Sequence, residues 1–149
     1  QQSARYHVQR NRLLGLRDAC NAAGVAWDRI PVVERFEHTV EAGQSAAAEV
    51  LALDPGITAL IATSDVLALG AITELTRRHQ RVPEDVSVTG FDGVKTAVDF
   101  GLTTVEQPVV DKGRNAGRML LSPARKAAGR RIVLPTRFLP GRTTAPPRH

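Results

Sequence analysis

The sequence has little cysteine and few aromatic residues. Cys20 is its single cysteine, so no internal disulfide can form and an intracellular origin is expected. Aromatic residues make up 4% of the 149 residues, so aliphatic side chains and alanine must build the core. Aromatics are also too few to stack on bases between the dispersed arginines. We therefore interpret the net charge of +5 as a solvated surface and not as direct nucleic-acid binding.

Long apolar runs and enzyme motifs are also missing. No stretch approaches the roughly 20 apolar residues that span a bilayer, and no secretory leader pattern opens the chain, so we expect a cytoplasmic protein without membrane contact. The sequence contains no G-x-S-x-G elbow, no P-loop and no G-x-G-x-x-G. Its histidines are not at metal-ligand spacing. We therefore predict no catalytic residue, no metal site and no cofactor.

Alternating strand and helix patterns predict an α/β fold with a parallel sheet flanked by helices. Helices are expected at 4–23, 39–53, 64–78 and 108–121, and strands at 30–36, 58–63, 86–91, 102–106 and 132–139. Thr39 is expected to cap the second helix. Residues 94–101 are predicted as a loop, 124–131 as an exposed basic connector and 143–149 as a frayed tail. Because helix-like sequence begins directly at Gln1, the chain is expected to be a fragment.

The stretch from Arg81 to Gly93 carries the clearest functional signal. Its sequence, RVPEDVSVTGFDG, holds a turn, a β-branched strand and a closing acidic loop. Ligands of open α/β sheets bind beyond the carboxyl ends of the strands, so Asp92 is expected to stand at a site. An aspartate before glycine is also a common turn residue or helix cap, and that alternative stays open.

Three blocks taken together resemble the LacI/GalR family of bacterial transcription regulators. They are IATSDVLALGA, VPEDVSVTGFDG and LTTVEQP, in this order. The resemblance covers residues 3–144 and implies an incomplete two-lobed effector-binding core of the periplasmic-binding-protein-like type (type I). It implies that residues 1–107 form the C-terminal lobe. Residues 108–131 would be a helix and connector belonging to the N-terminal lobe, and 132–149 a returning strand and tail.

The resemblance also implies which side chains bind the effector. An arginine at the place of Arg10, at the start of a helix facing the cleft, grips effector hydroxyls in the family, and Asp92 is the matching acceptor. The neighbouring Arg12 is not assigned to the site, and a plain surface role remains the alternative for Arg10. Ser64 stands where the family commonly has an asparagine, so one hydroxyl replaces two amide donors.

Other positions near the expected cleft are each open to two interpretations. Phe36 matches an aromatic that stacks on the ligand in the family, but it could belong to the core, and His38 competes for the same place. Gln107 could contact the ligand or pair with backbone at the crossover between lobes. Asp65 is expected to be a structural cap that accepts hydrogen bonds from backbone N–H groups.

The third helix carries more apolar surface than one sheet face needs. Its residues Leu67, Leu69 and Ile72 are predicted to lie at a dimer interface, because in the family this helix helps to form one. Burial within the subunit is the alternative.

The function implied by the resemblance is binding of a small sugar-like effector that allosterically controls DNA binding. The expected partners are that effector, a second copy of the chain, and operator DNA reached only through an N-terminal headpiece that this chain lacks. The alternative is a sugar-binding solute receptor of a transport system. It would have a secretory signal upstream, where a regulator has a helix-turn-helix.

Overall fold

The computed structural model describes residues 2–121 and 131–146, with side chains from residue 8 onward. A short 3-10 turn, Trp27–Arg29, follows the first helix. The other elements are α1 (Gln2–Ala22), α2 (Val40–Leu53), β1 (Ala59–Ile61), α3 (Asp65–Arg77), β2 (Ser87–Thr89), α4 (Lys95–Phe100), β3 (Thr104–Glu106), α5 (Val109–Leu121) and β4 (Arg137–Leu139). Within the described residues, no helix combines the length and apolar character needed to span a bilayer.

The strands form the predicted α/β arrangement. β1 and β2 pair in parallel, with Leu60 opposite Val88, and α3 connects them as a crossover helix. Two single parallel bridges continue the sheet beyond β2. Thr89 of β2 pairs with Thr103, just before β3, and Asp92, in the loop after β2, pairs with Glu106 of β3. β4 then pairs antiparallel with β3. The carboxyl ends of β1 and β2 consequently open on the same edge of the sheet.

The core lies between the sheet and α3. Its largest members are aliphatic and at most 2% exposed, and they are Leu75, Val86, Val88 and Leu102. α2 packs directly on α3, because two glycines let the helix backbones touch. A Cβ at Gly70 would lie 2.8 Å from the Cα of Gly43. Side chains larger than hydrogen at these two positions would therefore force the helices apart.

The ends of the helices match their sequence signals. Thr39 caps α2, as predicted, since its Oγ1 accepts from the N–H of Ala42 at 3.1 Å. Near the carboxyl end of α3, Glu74 is buried and accepts hydrogen bonds from Arg77 and Arg78. Hydrogen bonding to Arg77, followed by that to Arg78, lowers the pKa of Glu74 to about 2. This acid is therefore ionised in the folded protein at neutral pH.

Two predicted elements around the sheet were wrong. The strand expected at 30–36 is irregular chain, and Arg35 ties this segment to α2 by donating to Glu49 Oε2 at 2.6 Å. A β-branched pattern forms a strand only where a neighbouring strand supplies ladder bonds. In the part of the chain that the structure describes, β1 pairs with β2 alone. The loop expected at 94–101 contains α4, a six-residue helix that ends at Gly101 with a left-handed φ of 89°.

The carboxyl-terminal segment is better fixed than its sequence indicated. Thr143, expected to begin a frayed tail, is buried; it donates to the Val88 carbonyl at 2.7 Å and accepts from the Thr103 N–H at 2.9 Å. Of the strand predicted at 132–139, only β4 forms, after Pro135, which lacks a donor for a ladder. The predicted connector at 124–131, apart from its last residue, and positions 147–149 lie outside the described residues.

Candidate functional site

Asp92 lies at the carboxyl edge of the sheet, just after β2. Its backbone φ is 128°, a value that few residues other than glycine adopt. Its N–H donates to the Val105 carbonyl at 3.0 Å, and its own carbonyl accepts from the Gln107 N–H at 3.0 Å. The backbone of Asp92 is thereby bound to β3 and to the residue that follows it. Its side chain is 29% exposed, so the carboxylate faces an accessible space.

Arg12 of α1 is the arginine that reaches this carboxylate. Its Nη2 donates to Asp92 Oδ1 at 2.9 Å, and its Nη1 donates to the carbonyl of Thr63, two residues after β1. The guanidinium also lies over the Phe91 ring, 4.0 Å from the ring centroid. With only 15% of its side chain exposed, Arg12 is held in one orientation and partly neutralises Asp92.

Gln107 completes the contacts of the carboxylate. Its Nε2 donates to Asp92 Oδ1 at 2.5 Å, and its Oε1 accepts from the ammonium group of Lys112 on α5. Asp92 Oδ1 therefore accepts two protein hydrogen bonds. Among the described residues none donates to Oδ2, which leaves that oxygen as an acceptor for a donor from outside the chain.

Ser64 and His38 form a second polar group at the same edge. Ser64 Oγ accepts from the Leu67 N–H at 3.4 Å and is therefore the cap of α3. His38 Nδ1 lies 3.3 Å from this hydroxyl, and His38 Nε2 lies 2.6 Å from Gln9 Nε2. The side chain of Phe36 is 74% exposed, so His38 is the ring that stands against Ser64.

Asp65 lies beneath these groups and is completely buried. Its Oδ2 accepts from the Val94 N–H at 2.8 Å, and its Oδ1 accepts from Thr104 Oγ1 at 2.5 Å. Its own N–H donates to the Phe91 carbonyl at 2.8 Å. Asp65 therefore bonds the loop after β2 and the start of β3 and does not cap its own helix, which Ser64 does.

The structure brings together some of the residues predicted for the site and separates others. Asp92 and Gln107 are in contact, and Ser64 borders the same edge, whereas Arg10 is exposed and Arg12 occupies the position beside Asp92. Helix residues two apart point to nearly opposite sides, so both arginines cannot face the edge. Arg12 is four residues before the half-buried Leu16, and that spacing is the sequence signal that could have identified it.

Of the three residues predicted for a dimer interface, Ile72 is buried within the subunit, and Leu67 and Leu69 are half-buried. Ile72 is 8% exposed and belongs to the core cluster, and Leu69 packs against that cluster. The backbone of Leu67 lies at the crossing with α2, within 2.9 Å of where a Cβ of Gly43 would be. Burial within the subunit accounts for Ile72, while Leu67 and Leu69 keep part of their surface exposed.

An open groove of about 870 Å³ lies near the carboxyl end of α3, beside Thr76, His79 and Arg142. α3 has 13 residues, so at about 1.5 Å per residue its ends are roughly 20 Å apart. The groove is therefore separate from the edge that carries Asp92. Within residues 2–121 and 131–146, no group of three acidic, histidine or cysteine side chains could hold a metal ion.

Comparison with known proteins places the chain among transcriptional regulators. Residues 1–144 match a periplasmic binding protein-like domain. An HTH-type transcriptional regulator of Mycolicibacterium smegmatis is 46% identical over 145 residues, which is 97% of this chain and 40% of the relative. The chain thus spans about two fifths of the length of this curated relative.

Two solved structures share both the fold and sequence similarity. A LacI family transcriptional regulator from Corynebacterium glutamicum superposes with a TM-score of 0.86 at 36% identity, covering 94% of this chain and 42% of that one. The transcriptional regulator CelR in complex with cellobiose gives a TM-score of 0.79 at 33% identity, covering 89% and 41%.

Proposed function

Because the chain belongs to the LacI/GalR family of transcriptional regulators, we propose that it contributes one side of an effector site and binds a small sugar-like molecule at Asp92. The observation that carries this proposal is the cluster of Arg12, Asp92 and Gln107 at the carboxyl edge of the sheet, in which no residue that the structure describes donates to Asp92 Oδ2. The relative CelR is described in complex with cellobiose, which supports a sugar as the ligand class. No covalent chemistry is needed.

Each polar group at the edge has a proposed role. Asp92 Oδ2 accepts from an effector hydroxyl, while Arg12 orients the carboxylate and offers its remaining N–H donors to a neighbouring oxygen. Ser64 exchanges a hydrogen bond with the effector. His38 takes the ring contact that the resemblance assigned to Phe36, and Arg12 takes the role assigned to Arg10.

The regulatory part of the proposal concerns α5. Four apolar side chains of this helix are 64–87% exposed, namely Val109, Val110, Leu120 and Leu121. This exposure supports the assignment of residues 108–131 to the other lobe of a two-lobed core, with 1–107 as the C-terminal lobe and 132–149 returning to it. An effector bound between the lobes then favours one lobe orientation, with a coupling of about 1–3 kcal/mol.

The remaining partners are proposed from family membership. DNA binding resides in a headpiece elsewhere in the longer protein, which acts in the cytoplasm. The exposed side of α3, together with Leu67 and Leu69, contributes to a homodimer. The Mycolicibacterium smegmatis relative and the two solved structures compared above are transcriptional regulators. A role as a regulator is therefore favoured over a role as a transport receptor.

A thermal-shift screen of the full-length protein tests the effector site. The panel contains cellobiose, ribose and related neutral sugars, because a ligand of the folded state must raise the melting temperature. We expect the shift caused by a binding sugar to disappear in Arg12→Ala and Asp92→Asn. Arg10→Ala is the matched control, since Arg10 lies on the same helix but is exposed, and it should keep the shift. A shift that survives Asp92→Asn would refute the assignment of Asp92.

A further inference from the structure

The backbone at Asp92 requires something to hold it. A φ of 128° is unfavourable for a residue with a Cβ, and such conformations persist only where the surroundings fix them. The bonds to Arg12 and Gln107 act on the side chain. The bonds of the Asp92 peptide itself reach Val105 in β3 and Gln107 just after it. None of these contacts fixes the turn at Gly93 and Val94 that follows.

Asp65 supplies the missing contacts on both sides of Asp92. Its N–H donates to the carbonyl of Phe91, the residue immediately before Asp92, at 2.8 Å. Its carboxylate accepts from the N–H of Val94, two residues after Asp92, at 2.8 Å. One buried residue therefore holds the chain on either side of the strained position.

The carboxylate of Asp65 has no freedom to move from this position. Its second oxygen accepts from the hydroxyl of Thr104 at 2.5 Å, and both residues are at most 1% exposed. The backbone of Gly90 presses against the same carboxylate: a Cβ at Gly90 would collide with Asp65 Oδ1 and come within 2.7 Å of Leu102 Cδ2. Packing and hydrogen bonds thus fix Asp65 before any ligand arrives.

We propose that Asp65 is a positioning residue of the effector site. It does not contact the effector; it holds the residues on both sides of Asp92 so that the Asp92 carboxylate points into the accessible space. This inference rests on the proposed function of Asp92. It assigns Asp65 a role in effector recognition, whereas the sequence indicated only a structural cap.

The variant that tests whether Asp65 holds the loop around Asp92 is Asp65→Asn. Asparagine keeps the size, and its carbonyl can still accept from Thr104, but its NH2 group would face the Val94 N–H, donor against donor. Thr104→Val is the matched control, because it removes the other hydrogen bond of the same carboxylate and leaves the bond to Val94 intact. Both variants lose one buried hydrogen bond at Asp65.

Amide hydrogen exchange of the full-length protein measures, without any ligand, how firmly Asp65 holds the Val94 amide. We expect Asp65→Asn to accelerate exchange of the Val94 amide at least tenfold while the Val88 amide in β2 stays protected. Thr104→Val should leave the Val94 amide protected. Equal protection of Val94 in the Asp65→Asn protein, or equal acceleration in both variants, would overturn the proposal.

A binding cycle separates this inference from the proposed function. With cellobiose and ribose as probes, a binding sugar should lose affinity tenfold or more in Asp65→Asn. Adding Asp65→Asn to Asp92→Asn should cause no loss beyond that of Asp92→Asn alone, because Asp65 acts through Asp92. Additive losses would contradict the positioning role. A sugar shift unaffected by Asp92→Asn would refute the proposed function instead, and the exchange rates at Val94 would still decide whether Asp65 clamps the loop.

Discussion

Replacing Gly70 by alanine should destabilise the protein through the crossing of α2 and α3. The new Cβ would lie 2.8 Å from Gly43 Cα and 2.9 Å from the Gln44 nitrogen. All of its close neighbours, the Val40 carbonyl oxygen included, are backbone atoms, which cannot rotate away, so the helices must separate. Overpacking of this kind costs about 1–3 kcal/mol, and the rigid neighbours place Gly70→Ala at the upper end.

Helix propensity opposes this loss but does not cancel it. Alanine is favoured over glycine in a helix by about 1 kcal/mol, so the net destabilisation is about 2 kcal/mol, or roughly 4–8 °C in melting temperature for a domain of this size. Gly117→Ala on α5 is the matched control, because among the described residues no atom beyond its own turn of helix lies within 4 Å of the new Cβ. It should stabilise the protein or leave it unchanged. A melting temperature for Gly70→Ala at or above that of the unaltered protein would refute the reasoning.

Two further predictions concern buried polar groups. The pKa of Glu74 is lowered from 4.5 to about 2; its stabilisation is therefore complete above pH 4.5 and lost as the pH falls toward 2. The stability difference between the unaltered protein and Glu74→Gln, measured by urea unfolding, should shrink over that interval, and a pH-independent difference would contradict it. Thr143→Val removes the donor to the Val88 carbonyl and the acceptor for the Thr103 N–H. It should lower the free energy of unfolding by about 1–3 kcal/mol in the same assay. An unchanged free energy of unfolding would mean that the carboxyl-terminal segment is not held by Thr143.

Caps and turn residues in the sequence predicted the elements that depend mainly on neighbouring residues. Thr39 was identified as a cap, and the helix that follows ends at Leu53 before Asp54-Pro55-Gly56 as expected. The segment 30–36 failed because a strand depends on a partner that its own residues do not encode. α4 was missed because six residues are too few to show a helical period.

The candidate site was predictable to the extent that it follows from the sheet. Asp92 was placed at the carboxyl edge because it follows a strand, whereas Ser64 was assigned from the family resemblance. Arg12 was not assigned to the site because the family resemblance pointed to Arg10, although Arg12 lies four residues before the half-buried Leu16. The approach of His38 to Ser64 depends on the close crossing of α2 and α3, which no single segment of sequence reveals.

The contacts of the candidate site join residues that are far apart in the chain. Arg12 and Asp92 are 80 positions apart, and Asp65 lies 29 positions before Val94. Each member is held by a different element, so a substitution in any of them can misplace Asp92 without touching a ligand. Loss of binding in one variant therefore cannot assign a contact residue. Matched pairs can, because Arg12 and Arg10 share a helix, and Asp65→Asn and Thr104→Val each remove one bond from the same carboxylate.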